Sequence, residues 1–455
     1  MTCNRLLKTL LNVKGATAVA AKFNEDANCV ATLKIELRVH KKDRWRCPVC
    51  GKKCRVYDYL AGDAGWRGMD FGPVQVRLAA RVPRVCCAEH GVLTAAVPWA
   101  KHDCRFTLDF AYSVAWMLKS GLSKKSISER MHIDWKTVGR LVNLVWNDVE
   151  PDVGKRFDGL VRIGIDETSY KKGHCYITTV VNHDTNTVIW AHTGHGKETL
   201  ERFFALLTPE QCASIEVVTG DGARWITDCV AEHCPNATRC IDPFHVVEWA
   251  NDALDCVRID AWRRALDEWK AIRKDAKDAK GDAAEARVKE AKSRADAIKH
   301  SKYALGKNPG NLTDNQRERL ALIQSEDGAM NRAYLLKEQL RLILKMDDAK
   351  TAGDCLDGWI SHAQRCRIPA FVELQRKIRR HRQHILNAII HDVSNARIEA
   401  LNNKIKLLIR IAYGFRNIDT MISLVMLFCS NIEIPWPSST AKMSINKALS
   451  AIKVA

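Results

Sequence analysis

The chain has 455 residues and a formal net charge of +18 at pH 7, too long for one ordinary core and implying two to four domains. Seventeen cysteines, an odd number scattered over so long a chain, exclude a small secreted disulfide framework and read as reduced thiols or metal ligands. Residues 1–150 hold 25 Lys and Arg against 14 Asp and Glu, and residues 361–455 hold 15 against 5, so two basic ends flank a nearly neutral middle and point to two polyanion-contacting surfaces.

No apolar run reaches the ~18 residues of a membrane span, and the first residues are too short and interrupted an apolar segment for a signal peptide. The expectation is a cytoplasmic protein without a membrane partner, nucleoid-associated when bound to DNA.

Residues 30–40 and 74–82 alternate apolar and polar positions like half-buried strands. Between and after them lie Cys47 and Cys50, in CPVCG, and Cys87 and His90, in CAEHG. Two pairs, each spaced by two residues and separated by 36, supply the four N and S donors of tetrahedral structural zinc. Gly51 and Gly91 follow the pairs, where a tight knuckle needs a permissive backbone. Residues 1–100 therefore read as a zinc-ribbon module, with Cys54 and Cys86 as spare thiols.

Residues 106–147 look helical. Ser123 can cap a helix over 124–131, and Asp134 a second over 135–146, with Ile133 in the turn. This spacing fits a helix-turn-helix within 101–150, whose second helix would bring Trp135, Lys136, Thr137 and Arg140 to the major groove. Three helices that merely pack is the plainer alternative; the basic neighbourhood weighs toward DNA.

From 160 to 260 the pattern is β-β-β-α-β-α-β-α. Strands are expected over 161–165, 175–181, 187–192, 216–219 and 238–241, helices over 197–207 and 223–233, and a long helix from Pro243. Asp166 ends the first apolar run, Asp221 ends the run from Ile215, and Glu399 lies in a helical stretch over 395–406. Three carboxylates gathered by one fold would hold Mg²⁺ or Mn²⁺, and paired metals clamp the attacking and leaving oxygens of a phosphodiester exchange.

Residues 246–389 change character. The stretch 262–302 is rich in Ala and balanced charge and reads as long solvated helix, 307–314 is a break, and 335–346 is helical again. This helical insertion separates Asp221 from Glu399 by 178 residues. Within 376–382, Arg376, Lys377, Arg379 and Arg380 belong to a dense basic run expected to meet phosphate. There is no internal repeat and no phosphate-cradling glycine loop, so no nucleotide cofactor is expected.

The element order from 160 resembles the ribonuclease-H-like fold of DDE transposases and retroviral integrases. Four segments make the resemblance closer: GIDETSYKKG (164–173), VTGDGARW (218–225), CIDPFHV (240–246) and the block 395–417. With the two zinc pairs and the Pro98-Trp99-Ala100 that follows, they resemble bacterial insertion-sequence transposases of the ISL-three family over nearly the whole chain.

The resemblance implies a multidomain α/β protein: a ribonuclease-H-like catalytic core (151–245 and 390–430) interrupted by an all-α insertion (246–389), preceded by a zinc ribbon and a helix-turn-helix, and followed by a tail (431–455). It implies a DDE transposase that binds the terminal inverted repeats of its own element and target DNA, works as at least a dimer, and uses two Mg²⁺ or Mn²⁺ per active site held by Asp166, Asp221 and Glu399. A regulator that kept the DNA-binding parts but lost chemistry, and a structure-selective nuclease, are the rival readings.

If strand order follows that fold, the strand before Asp221 adjoins that of Asp166, about 5 Å away, whereas the strand before Asp242 lies about 10 Å away. Asp242 has a sufficient role capping a helix that begins at Pro243, although its spacing to His245 leaves both as accessory residues. Glu167 should point away from Asp166, because successive strand side chains alternate. Asn402 and Lys406 share a helical stripe with Glu399, opposite Leu401, Ile405 and Leu408.

Overall fold

A computed structural model describes residues 7, 11, 13, 15–25, 31–59, 61–150, 154–171, 173–278, 282–326, 328–393, 396–412 and 417–435. The chain divides into two units, Met1–Val153 with Lys404–Ala455, and Gly154–Asn403.

In the first unit, β1 (Ala16–Glu25) pairs antiparallel with β2 (Ala31–Val39). Strand β3 (Arg55–Tyr59) belongs to a second sheet, while β4 (Ala64–Arg67) and β5 (Gln75–Ala80) complete the first in the order β1-β2-β5-β4. The second sheet runs β3-β6-β7, with β6 at Pro83–Cys87 and β7 at Gly91–Thr94. Alternation in β2 and β5 buries Ile35, Leu37, Val76 and Leu78 on one face, where Trp66 and Trp99 meet edge to face at 5.3 Å. The two sequence-expected strands are these; β1, rich in Ala, and the four-residue β4 carry too weak an alternation to read.

Three helices follow: α1 (Leu108–Lys119), α2 (Lys124–Met131) and α3 (Trp135–Val149). Backbone bonds stitch them to the first sheet, since Arg67 N–H donates to Arg105 O at 2.8 Å, Thr107 N–H to Arg67 O at 3.0 Å and Leu108 N–H to Trp99 O at 2.8 Å. Thr107 then caps α1 through the Phe110 amide.

The second unit opens with β8 (Arg162–Lys171), β9 (Cys175–Asn182) and β10 (Thr187–Thr193). Helices α4 (Lys197–Phe204) and α5 (Pro209–Ser214) lead to β11 (Val217–Gly220), α6 (Arg224–His233) and β12 (Thr238–Ile241). The sheet order is β10-β9-β8-β11-β12, antiparallel from β8 to β10 and parallel across β8, β11 and β12. The helix expected over 197–207 is α4, which stops at Phe204, and the sequence reading has no counterpart for α5, which Thr208 and Gln211 start with a reciprocal capping box around Pro209.

Helix α7 (Pro243–Asp278) then begins an all-helical stretch: α8 (Asp282–Lys299), α9 (Lys302–Gly306), α10 (Asp314–Glu326), α11 (Gly328–Ile343), α12 (Ala349–Arg365), α13 (Pro369–Arg380) and α14 (Arg382–Ile390). These helices bury a core of their own that includes Leu254, Met330, Leu340, Trp359 and Phe371. Helix α15 (Ala396–Ile411) crosses the division between the units at Asn403, and α16 (Ile418–Cys429) lies in the first unit.

The sequence groups 390–430 with the core, but α16 packs on α3, where Gly139 lets Thr420 approach. A Cβ at Gly139 would lie 3.3 Å from Thr420, so a small residue on α3 permits the close helix contact. Among the described residues no helix is long and apolar enough to cross a membrane.

Candidate active site and nucleic-acid interface

Asp166 lies within β8, not at its end, because pairing with β9 continues past it to Lys171. The parallel register sets Thr219 of β11 opposite Gly164, so Asp221, two residues on, follows the strand at the level of Asp166. Adjacent strands are separated by about 5 Å. Burial pushes the Asp166 carboxyl up; His245, the Glu167 amide and the Asn402 side chain oppose the rise, and the Asp221 charge adds to it. Asn402 of α15, itself 8% exposed, donates to Asp166 Oδ2.

Asp221 Oδ1 accepts from Ala223 N–H at 2.9 Å, and the buried Arg239 of β12 donates to its backbone oxygen. Burial lowers Arg239 to about 10, against the pull of Asp221. A Cβ at Gly220 would sit 3.1 Å from Ile165 O, and one at Gly222 2.5 Å from Trp249 Cζ2, so both glycines around Asp221 allow close approach. No motif flags Arg239 in the sequence; its signal is an arginine inside the short apolar strand TRCI.

Asp242 is 5% exposed, follows β12 one strand further out, and accepts from Phe244 N–H at 3.0 Å at the start of α7. His245 reaches Glu248 Oε2 at 3.3 Å and lies 4.0 Å from Asp242 Oδ2. Burial raises Glu167, whose carboxylate accepts from Gly196 N–H at 3.2 Å.

Glu399 is on α15 three residues before Asn402; its side chain is outside the described residues. Lys406, later on that helix, is exposed and belongs to the first unit. Leu401, Ile405 and Leu408 are buried, as their stripe requires. Hard oxygen donors carried on and just past neighbouring strands, with the Asp221 charge adding to the rise at Asp166, suit a divalent oxygen-seeking cation.

The basic run over 376–382, on α13 and the start of α14, divides. Arg376 binds Glu373, Arg379 donates to Gln364 at 2.9 Å, and Arg382 grips Asp357 with two bonds of 2.6 and 2.7 Å, so much of its charge is engaged within the helices. Arg380 is exposed. Lys377 Nζ lies 3.6 Å over the Trp249 ring, and burial lowers it against the pull first of Asp221. It therefore faces the carboxylate side.

Cys47, Cys50, Cys87 and His90 form a cluster whose ligand atoms all lie within 4.8 Å of one another. Cys50 and Cys87 Sγ are 3.7 Å apart, and His90 Nδ1 is 3.8 Å from Cys47 Sγ and 3.6 Å from Cys87 Sγ. Zn–S bonds of about 2.3 Å in a tetrahedron require edges of about 3.8 Å. The His90 hydrogen bond, foremost, holds Cys87 down at about 6, and a lowered thiol is a ready thiolate ligand. The set fits structural zinc.

Helix α2 ends at His132 in a left-handed conformation, and Asp134 caps α3 through the Lys136 amide at 2.8 Å. Trp135, Lys136 and Arg140 are exposed and Thr137 is half-buried, while Val138, Leu141, Val142 and Val145 are buried. One face of α3 is thus core and the other presents the four residues expected at DNA.

Residues 163–425 match a family described as "Transposase", residues 95–146 the "Helix-turn-helix domain of transposase family ISL3", and residues 43–90 the "zinc-finger of transposase IS204/IS1001/IS1096/IS1165". The chain belongs to the ISL3 family of transposases. It is 46% identical over 427 residues to the transposase for insertion sequence element IS1557 of Mycobacterium tuberculosis, covering 93% of this chain and 95% of that protein. It is also 25% identical over 424 residues to the transposase for IS1001 of Bordetella parapertussis, covering 92% and 96%. For this ISL3-family transposase the helix-turn-helix match contains α1, α2 and most of α3, and the zinc-finger match contains all four clustered ligands. The longest match spans Asp166, Asp221, Asp242 and Glu399 and the helices between them.

Proposed function

We propose that this transposase binds the terminal inverted repeats of its insertion sequence and cleaves and joins DNA strands at a two-metal site formed by Asp166, Asp221 and Glu399. The observation that carries the reading is the sheet order β10-β9-β8-β11-β12, with Asp166 on the central strand, Asp221 just past its parallel neighbour, and α15, which holds Glu399, bonded to Asp166 through Asn402. That order supports a ribonuclease-H-like core into which the helices from α7 to α14 are inserted.

Bound Mg²⁺ or Mn²⁺ supplies activation of water or of a 3′-hydroxyl and neutralises charge at the phosphorus. The chain's residues do the placing. Arg239 fixes the backbone beneath Asp221, Asn402 orients Asp166, and Asp242 with His245 anchors the start of α7 beside them. Lys377 lies where it can hold a phosphate of the reacting strand, and Arg376, Arg379 and Arg380 extend the basic surface. Trp135, Lys136, Thr137 and Arg140 read the ends, zinc stabilises the N-terminal module, and two ends are held by at least a dimer without a nucleotide cofactor.

The test is incubation of the full chain with Mg²⁺ and a duplex carrying the inverted repeat that borders the gene. Nicks at the element end followed by joining to a second duplex are expected. A chain that binds the ends and never cuts them would be a regulator; equal cutting of unrelated branched DNA would make it a nuclease.

A further inference from the structure

We propose that the solvent face of the β1-β2-β5-β4 sheet, with the cleft between it and the helix-turn-helix, grips the phosphate backbone of the duplex whose major groove takes α3. The proposal rests on the reading of α3 as the groove-entering helix. Strand register carries it. Lys22 pairs with Lys34 across β1 and β2, Lys34 with Arg77 across β2 and β5, and Arg77 with Arg67 across β5 and β4. Four strands thus place four cations in one row, which at about 4.8 Å per strand spans about 14 Å.

Like charges directly opposite one another in a sheet are destabilising, so folding alone gives no reason for the row. Internal carboxylates neutralise only its ends. Arg67 is buried and bound to Asp70, while Lys22 has Glu36 at 4.0 Å with both side chains well exposed, a weak pair. Among the described residues no carboxylate pairs with Lys34, Arg77 or Arg105. The neighbours Ile35, Val76 and Leu78 are buried, so Lys22, Lys34 and Arg77 lie on the face away from that core, while Arg67 at the row's end is covered and stacks over Phe110 of α1.

The row ends at a cleft of about 550 Å³ whose lining includes Arg77, Arg105, Gln75, His132 and Thr137, and also Asp134, whose carboxylate is engaged in capping α3 through the Lys136 amide. Thr137 is in the first turn of α3, which makes the basic row continuous with the expected groove-reading residues. A helix about 10–12 Å across fills a major groove about 12 Å wide, so the flanking phosphates must run beside the helix. The sheet and cleft stand there, joined to α1 by the backbone bonds of residues 105–108. A duplex backbone is thus the polyanion that both elements can meet at once.

The test uses the full chain with Arg77→Gln and Arg105→Gln combined, titrated with an end duplex and an unrelated duplex between 50 and 200 mM salt. Each lost phosphate contact removes about 0.9 from the slope of log K against log salt, so the slope should become shallower by about 1.8. Affinity should fall by the same factor on both duplexes, and the Arg77→Lys, Arg105→Lys variant should restore the slope. Zinc content and thermal midpoint equal to wild type would show that the fold is kept.

A wild-type slope in the Gln variant, or a loss confined to the end duplex, would overturn the proposal. Arg140→Ala gauges the groove reading separately. If it leaves the preference for ends intact while the Gln variant shows the slope change, the sheet is a backbone surface and the assignment of α3 fails.

Discussion

Asn402 on α15 donates a hydrogen bond to the carboxylate of Asp166 on β8, 236 positions earlier. The contact fixes where α15 sits against the central strand, and Glu399 is one helical turn before it. Hydrogen bonds to charged groups contribute about 1.5–3 kcal/mol. If the bond orients Asp166 for metal, Asn402→Ala should slow strand cleavage by about one to two orders of magnitude while end binding stays at wild-type level. A variant cleaving at the wild-type rate would reduce the bond to a packing detail.

The choice among four carboxylates is separable. Asp166→Asn, Asp221→Asn and Glu399→Gln should each abolish Mg²⁺-dependent cleavage and joining, because each keeps size and removes the charge metals need. Asp242→Asn should keep measurable activity, since Asn also caps helices and Asp242 already serves Phe244 N–H. An inactive Asp242→Asn with an active Asp221→Asn would move the second metal ligand to β12.

Legibility followed how local each signal was. The zinc pairs, the Ser123 and Asp134 caps and the strand order around Asp166 could be read because each is a short pattern or a regular alternation. Helix α2 spans 124–131 as expected. The placement of α16 on α3 was hidden because it depends on Gly139 meeting Thr420, a pairing no periodicity marks. Arg239 was missed for the same reason: its donation to Asp221 O is a tertiary bond from a residue without a motif. The basic run over 376–382 is only partly free for phosphate, since composition does not reveal that Arg382, at the start of α14, is committed to Asp357.

The zinc module gives a count. The full chain should carry one Zn²⁺, and Cys47→Ser or Cys87→Ser should lose it together with the stability of the N-terminal module. Cys54→Ser should retain it, because the Cys54 thiol donates to Lys52 O at 3.4 Å and is outside the four-ligand cluster. Metal analysis and thermal unfolding check both. Zinc lost from Cys54→Ser and kept by Cys47→Ser would exchange the ligands.

Gly222 immediately follows Asp221, and Trp249 of α7 presses on it. An added Cβ would lie 2.5 and 2.6 Å from two atoms of the indole, a separation that forces the ring or the loop to move. Trp249 has little freedom to yield, since Lys377 Nζ lies 3.6 Å over its face and His381 packs against it with ring centroids 5.8 Å apart. Overpacking of this kind costs about 1–3 kcal/mol. Gly222→Ala should therefore lower the thermal midpoint and, by shifting Asp221, reduce cleavage more than end binding. Adding Trp249→Phe, which shortens the ring at the contact, should recover part of both losses. Equal stability and cleavage in Gly222→Ala would show that the loop after β11 accommodates the methyl and that the close approach does not hold Asp221.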